Sequence, residues 1–531
     1  MSTVIRPRAG RREWIGLVVL LLPLLLVSMD VSVLYFAVPF ISRELTPTST
    51  EQLWIFDIYG FVLAGLLLTM GAIGDRIGRR RLLMIGAAAF GLASVAAAYA
   101  TSPELLIAAR ALLGIGGATL MPSTLALIRN MFHDDKQRGT AIAIWSAVLT
   151  GGVAIGPVIS GLLLDHFWWG SVFLINLPAM VLLLVLAPVL VPEFKPARAG
   201  RFDWISAVLS LAAVLPVIYG IKEIAAHGVD LTRILIIAAG LVLAAVFVWR
   251  QRIAASPMID PALFRNRGFG SSVLTNLVAM FAIVGFAIFT TQYLQSVLDM
   301  RPLEAALWSL VPSLGVSVAA PLSPMLAQRI NRAYLISAGF LIAVVGFVVL
   351  AQVQVDSPLW VVLTGAGVFA AGTAVVMTLI TDLVVGAAPP EQAGTASALV
   401  ECSSEFGGAF GMAVLGSIGL AVYRDEVTAG VPAGLPAEAV AGVRETLAGA
   451  TVVAEGLPGP AGDALLAAAR LAFVNGMQVA AVTAAVVMAV AAVVSLLALR
   501  RVRPGQSADG VHRVPPPVGA HEPASPSVPI G

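Results

Sequence analysis

Fourteen long apolar runs follow one another along this chain, and no soluble fold can hide so many. They lie at about 15–41, 52–74, 82–100, 104–128, 139–164, 171–191, 204–221, 232–249, 270–298, 303–327, 334–353, 358–386, 394–422 and 472–499. A helix needs roughly 20 apolar residues to cross a bilayer, because an unpaired backbone amide cannot be left in hydrocarbon. The runs are too long for strands and lack the two-residue alternation of an outer-membrane barrel. The chain is 59% hydrophobic and only 12% charged, with a mean hydropathy of +0.93. Soluble domains average about 25% charged residues. A soluble enzyme, a nucleic-acid binder and a disordered scaffold are therefore excluded, and an all-α polytopic membrane protein with 14 transmembrane helices is expected. One cysteine, Cys402, excludes an intramolecular disulfide framework and a cysteine metal cluster.

Charge sets the orientation. With both termini placed in the cytoplasm, the inner segments hold 24 Lys and Arg and the outer segments 7, with Arg110 left inside the membrane. That bias is a strong positive-inside signal. Arg6–Arg12 ahead of an apolar run imitates a signal peptide. No small-residue cleavage site follows and Asp30 sits where the cut would fall, so a retained first helix is expected. The predicted organisation is a cytoplasmic N-terminus (1–14), a six-helix bundle (15–191), a two-helix insert with its linkers (192–269), a second six-helix bundle (270–499) and a disordered Pro/Ser/Gly-rich tail (500–531). Within the second bundle, residues 423–471 form a long outer loop with helix-like pieces near 436–447 and 461–471. It is expected to cover part of the outer mouth.

Charged side chains inside hydrocarbon cost several kcal/mol and mark function by default. Here they are Asp30, Asp57, Arg110, Asp382, Glu401 and Glu405. Glu401 and Glu405 are four apart, hence on one helix face. Two carboxylates so close in low dielectric should not both ionise, so the pair can bind a proton or a cation in alternation. The bland alternative is a pair satisfied by Ser403, Ser404 or the backbone. Asp30 lies deep in the first helix. Asp57 lies one to two turns into the second, beside Trp54 and Tyr59, where Trp54 also suits an interfacial belt. Asp382, near an inner helix end, can simply meet water. Arg110 is either an internal counter-ion for a carboxylate or part of proton coupling, with a purely structural ion pair as the rival.

Local motifs then point to a family. Gly71-Ala-Ile-Gly-Asp75-Arg-Ile-Gly78-Arg79-Arg80-Arg81 resembles the signature loop of the major facilitator superfamily. Its glycines suit a tight turn, and Asp75 can face a helix N-terminus or pair with an arginine. Arg110-Ala-Leu-Leu-Gly114 resembles that family's buried-arginine motif. Gly151-Gly-Val-Ala-Ile-Gly156-Pro157 resembles the glycine–proline motif of its antiporter branches, where small residues let helices approach and proline bends one. Ser28-Met-Asp30 through Pro39 resembles the first helix of fourteen-span drug:proton antiporters. Gln52-Leu-Trp54-Ile-Phe-Asp57-Ile-Tyr59, Met121-Pro-Ser-Thr-Leu and Val400-Glu401 through Gly411 are similar to QacA/SmvA-like exporters of quaternary ammonium compounds.

This resemblance, over about residues 12–500, implies a major facilitator fold in a 6 + 2 + 6 arrangement and alternating access in the bacterial inner membrane. It implies a monomer driven by the proton gradient, with no cofactor, no metal and no enzymatic activity. The expected partners are lipophilic cations (quaternary ammonium compounds and ethidium-like dyes), protons and membrane lipid, without nucleic acid. The roles implied are cation binding with proton exchange for Glu401 and Glu405, proton coupling for Asp30, and the outer pathway for Asp57, with Trp54 and Tyr59 among the substrate-binding and proton-coupling residues. Asp75, Arg79, Gly156 and Pro157 would control the switch, and Arg110 would couple it.

Two departures from the pattern matter. The second-half counterpart of the signature loop, Leu322 to Arg332, lacks its glycines and acid, so gating should lean on the first half. The 303–327 span carries no buried acid, which favours monovalent cations. An exporter of a self-made antibiotic or other metabolite, an importing symporter and a dead transporter core are the alternatives.

Overall fold

A computed structural model of the protein describes residues 9–195, 203–254, 267–387, 393–432 and 435–500. The first eight residues, parts of both insert linkers and the tail from 501 lie outside that description. Among the described residues every regular element is helical. The first group is α1 (Arg11–Leu45), α2 (Ser49–Ile77), α3 (Arg79–Ala98), α4 (Pro103–Met131), α5 (Asp135–His166), α6 (Ser171–Leu174) and α7 (Asn176–Leu190). Then come α8 (Trp204–His227) and α9 (Leu231–Ile253). The last group is α10 (Arg267–Gln292), α11 (Pro302–Trp308), α12 (Pro312–Ala327), α13 (Arg332–Leu350), α14 (Leu359–Ala387), α15 (Ala393–Val427), α16 (Ala437–Glu445), α17 (Leu447–Glu455) and α18 (Gly459–Leu499).

Thirteen stretches among the described residues are long and apolar enough to cross a membrane. The remaining run, expected at 204–221, is α8, whose shorter apolar stretch is Val208–Val217. Side chains such as Val185, Leu235, Val242, Leu314, Val345 and Val486 are more than half exposed. Only lipid makes such a surface stable.

Helix starts follow from local chemistry. Thr48 caps α2, accepting from the Glu51 amide, while the Glu51 carboxylate accepts from the Thr48 amide. Ser102 and Asp134 cap α4 and α5 in the same way. The 303–327 span is not one straight helix. It breaks between α11 and α12, where Pro312 opens the second piece.

The 423–471 segment also differs from expectation. α15 runs on to Val427, α16 and a further short helix, α17, fold above it, and α18 already starts at Gly459. α18 has 41 residues. At about 1.5 Å per residue it is roughly twice as long as a bilayer core is thick, so one end stands clear of the membrane.

α1 packs on α5 and α7, α2 on α4, and α3 on α4 and α7; α10 packs on α15, and α14 on α12 and α13. α2 and α15 join the two groups in antiparallel contact. Ser49 faces Glu445 and Arg424, Leu53 faces Gly416, Gly60 faces Glu405, and the Cys402 thiol reaches the Ala64 carbonyl. α8 pairs with α9 and also lies against both α2 and α15. Arg250 near the end of α9 binds Asp203, the N-cap of α8, at 2.6 Å. Burial opposes the charge on Asp203, but Arg250 and Ser206 outweigh it and hold the carboxyl below the usual range.

The groups meet again where α5 crosses α11. A β-carbon on Gly161 would stand 2.7 Å from the Leu303 α-carbon, and Arg301 bridges to Asp165 at 2.9 Å. Both junctions lie at the Ser49 face, opposite the basic face of Arg79–Arg81. Gly139 and Gly151 have no described neighbour within 4 Å of a β-carbon position.

Glu445 of α16 closes the Ser49 face. It accepts from the Ser49 amide at 2.7 Å and pairs with Arg424 at 2.6 Å. Burial opposes its charge, but the Ser49 and Arg424 hydrogen bonds prevail and keep it below the ordinary glutamate value. A carboxyl depressed by folding stabilises at pH above about 4.3 and loses that contribution only as pH falls through the folded value. Glu445→Gln is therefore expected to lower the melting temperature of purified protein by the same amount at pH 6 and pH 8. A deficit that vanishes at pH 6 would contradict this.

Candidate functional site

The deepest charged group is Arg110 of α4, 1% exposed. Its guanidinium forms an ion pair with Asp30 of α1, itself 6% exposed. It also donates to the Ile55 carbonyl at 3.0 Å and the Phe56 carbonyl at 3.4 Å on α2. Tyr59 lies 4.8 Å beneath it in a cation–π contact and donates to the Val27 carbonyl. One cation thus clamps α1, α2 and α4. Of the two roles open for Arg110, the counter-ion geometry is present. Tyr59, 1% exposed, is part of this clamp.

α5 lies against the same stretch of α1. A β-carbon on Gly152 would collide with the Ser28 hydroxyl at 1.9 Å, and one on Gly156 with the Ser32 hydroxyl at 2.2 Å. Ser160 donates to the Val33 carbonyl at 2.9 Å. Gly152, Gly156 and Ser160 recur every four residues, so one stripe of α5 seats itself on α1 around Asp30. Pro157 within that stripe removes one backbone donor.

Glu401 and Glu405 stand across from this clamp on α15, both partly exposed. Glu405 is the nearer to α2, with its carboxylate 3.4 Å from a β-carbon position on Gly60. It lies within electrostatic range of Glu401, Tyr35 and Tyr59. Asp57, 3% exposed, acts on Tyr35 as well. Tyr35 stacks on Phe56 at 5.5 Å. Trp54 packs on Tyr219 of α8 at 6.3 Å, so the two-helix pair contributes an aromatic ring beside the second helix. Asp382 belongs to α14, but its side chain lies outside the description.

Ser403 and Ser404 do not satisfy the glutamates. Ser403 donates to the Val273 carbonyl and Ser404 to the Val400 carbonyl. Both then accept from the amide of Asn276 in α10, at 3.3 and 2.9 Å. Below them Gly407 and Gly411 press on the Leu277 and Phe281 carbonyls. The serine–glycine face of α15 is thereby fixed to α10, and Glu405 is turned toward α2 of the other group. Asn276 is a site residue that sequence reasoning missed; its visible signal was an amide in an apolar run.

The signature loop has its own geometry. Asp75 pairs with Arg79 at 2.6 Å. The acid that meets the N-terminus of α3 is instead Glu193, which accepts from the Arg80 amide at 3.0 Å and the Arg81 amide at 3.2 Å. Gly78 takes φ +108°, and a β-carbon there would stand 2.6 Å from the Glu193 carboxylate. Gly78→Ala is expected to cost about 1–3 kcal/mol from backbone strain alone. Glu193→Gln should cost less, as it keeps an acceptor. Thermal melts of both variants check the order, and an Ala variant as stable as wild type would refute it.

The family model of the Major Facilitator Superfamily matches residues 20–412. The chain belongs to that superfamily. It is similar to the multidrug efflux pump LfrA of Mycolicibacterium smegmatis, 43% identical over 93% of this chain and 98% of that protein. It is also similar to the methyl viologen resistance protein SmvA of Salmonella typhimurium, 36% identical over 88% of this chain and 94% of that one. Among solved structures, a bacterial homologue of the lysosomal transporter Spinster matches with a TM-score of 0.64 at 18% identity, covering 93% of this chain and 98% of that chain. That likeness shows the shared fold. This major facilitator protein is thus a multi-pass transporter of the bacterial inner membrane. No group of His, Cys, Asp and Glu among its described residues could hold a metal ion.

Proposed function

We propose that this transporter exports lipophilic cationic drugs, dyes and antiseptics in exchange for protons. The observation that carries the reading is the placement of Glu405. It is a half-buried carboxylate in the membrane, set beside Gly60 where the two groups meet, and Ser403 and Ser404 bond elsewhere. Such a group attracts a cation strongly in low dielectric and releases it when protonated. The efflux pumps with which the chain is similar end to end support the same reading.

In the arrangement described, the Ser49 face is sealed by Glu445, Arg424 and the α5–α11 crossing. By the charge bias that face is the outside, so cargo enters from the cytoplasm. Cargo settles at Glu405 and Glu401. The groups then rock, the site opens outward, and protons displace the cation. Asp30 is not a cargo ligand here, because Arg110 occupies it. Protonation of Asp30 frees Arg110 and loosens α1 from α2 and α4, and this is how proton binding reaches the helices. α5, seated on α1 by its glycines and touching α11, carries the movement to the other group.

Cells making the protein should keep ethidium out, and a protonophore should abolish that difference. Ethidium, a monocation, should be preferred over the dication methyl viologen, since no buried acid stands in α11 or α12. Equal ethidium accumulation with and without the protein, at verified membrane expression, would reject the proposal.

A further inference from the structure

We infer that the protein holds a second cargo site, an outer aromatic cleft in which a lipophilic cation pauses before release. The inference rests on the proposed export of such cations. The cleft is half open at the Ser49 face, with a cavity volume of about 80 Å³ while the roof is in place. It spans both groups, with Gln52 and Leu53 from α2, Phe289 and Gln292 from α10, and Tyr423 and Phe473 from α15 and α18. Glu445 and Leu447 roof it.

Missing β-carbons let its walls close up on one another. One on Gly416 would stand 2.8 Å from Leu53, and one on Gly419 would stand 2.6 Å from the Phe289 ring. Phe289 and Phe473 sit with ring centroids 6.2 Å apart and tilted by 39°. Ring faces and amide oxygens attract a large soft cation without a formal charge. The one carboxylate, Glu445, is already matched by Arg424. The cleft is therefore a weak, neutral site, unlike the acidic one at Glu405.

Position gives the cleft its role. Gln52 precedes Gly60 by eight residues, so the cleft lies roughly 12 Å farther along α2 than the contact with Glu405. A cation leaving a newly protonated Glu405 for the outer face meets it next. Holding the cation there weakly keeps it from returning to the carboxylates while protons reload. The hairpin of α16 and α17 is its roof, and the Glu445 contacts to Ser49 and Arg424 must part for release.

The test uses the full chain with Cys402→Ser, the sole native cysteine removed, and Gln52→Cys as the single thiol. N-ethylmaleimide labelling is followed with and without saturating ethidium. Ethidium is expected to slow labelling several-fold, and the protection should persist when Glu405→Gln is added. Protection lost with Glu405→Gln would assign the effect to the inner site and overturn the cleft. Unchanged labelling in a chain that still exports ethidium would overturn the cleft alone; a chain that exports no ethidium would overturn the export reading with it. In parallel, Leu53→Trp, which fills the cleft, should lower the maximal export rate several-fold with little change in KM. An unaltered rate would count against the proposal.

Discussion

Replacing Glu405 by glutamine is expected to reduce gradient-driven export of cationic dyes roughly 30-fold, the equivalent of about 2 kcal/mol of lost charged interaction. Glutamine preserves shape and hydrogen-bonding capacity but cannot alternate between charged and neutral forms. Packing should survive, because Glu405 faces the small Gly60, while Ser403, Ser404, Gly407 and Gly411 keep α15 on α10. Glu401→Gln should act in the same direction with a smaller effect, since Glu405 is the one that approaches α2. Dye export at equal membrane expression checks both variants. Wild-type export by the double variant Glu401→Gln/Glu405→Gln would remove the acidic pair from the mechanism.

The second large effect concerns stability as well as transport. Arg110→Ala strands Asp30 as a buried acid and strips two α2 carbonyls of their donor. Breaking a buried pair from one side typically costs about 3–5 kcal/mol, a large share of the roughly 5–15 kcal/mol that holds a protein folded. The variant should give little folded protein in detergent. Asp30→Asn keeps an acceptor for the guanidinium and should fold, yet its drug movement should no longer follow the pH gradient. Asp30→Asn/Arg110→Gln should recover folded yield without recovering coupling. Thermal stability and proton movement in vesicles separate these outcomes. Normal yield and coupling in Arg110→Ala would show that the clamp is dispensable.

Hydropathy and charge made the helices legible, because each crossing must supply its own apolar length and backbone pairing. The buried charges were legible for the same reason: hydrocarbon makes every one of them conspicuous. Which acid would take Arg110 was not readable, since Asp30, Asp57 and the glutamates all lie at plausible depths. The choice depends on how α1, α2 and α4 pack, and helix period says nothing of neighbours. Asn276 and Glu193 escaped notice because their partners are remote in sequence, 127 and 113 residues away. α17 was hidden because Leu447–Glu455 is too short to show a period and takes its stability from α16 and α18. The serines beside Glu401 and Glu405 offered an alternative partner by proximity alone, yet adjacent residues on a helix point in different directions.

The central claim is that Glu405 exchanges a lipophilic cation for protons across the membrane. The most direct measurement is ethidium flux in proteoliposomes with an imposed pH gradient, comparing wild type, Glu405→Gln and Asp30→Asn. The account predicts dye movement driven by the gradient in wild type, nearly absent in Glu405→Gln, and indifferent to the gradient in Asp30→Asn. Flux in Glu405→Gln that matches wild type and still follows the gradient would contradict it.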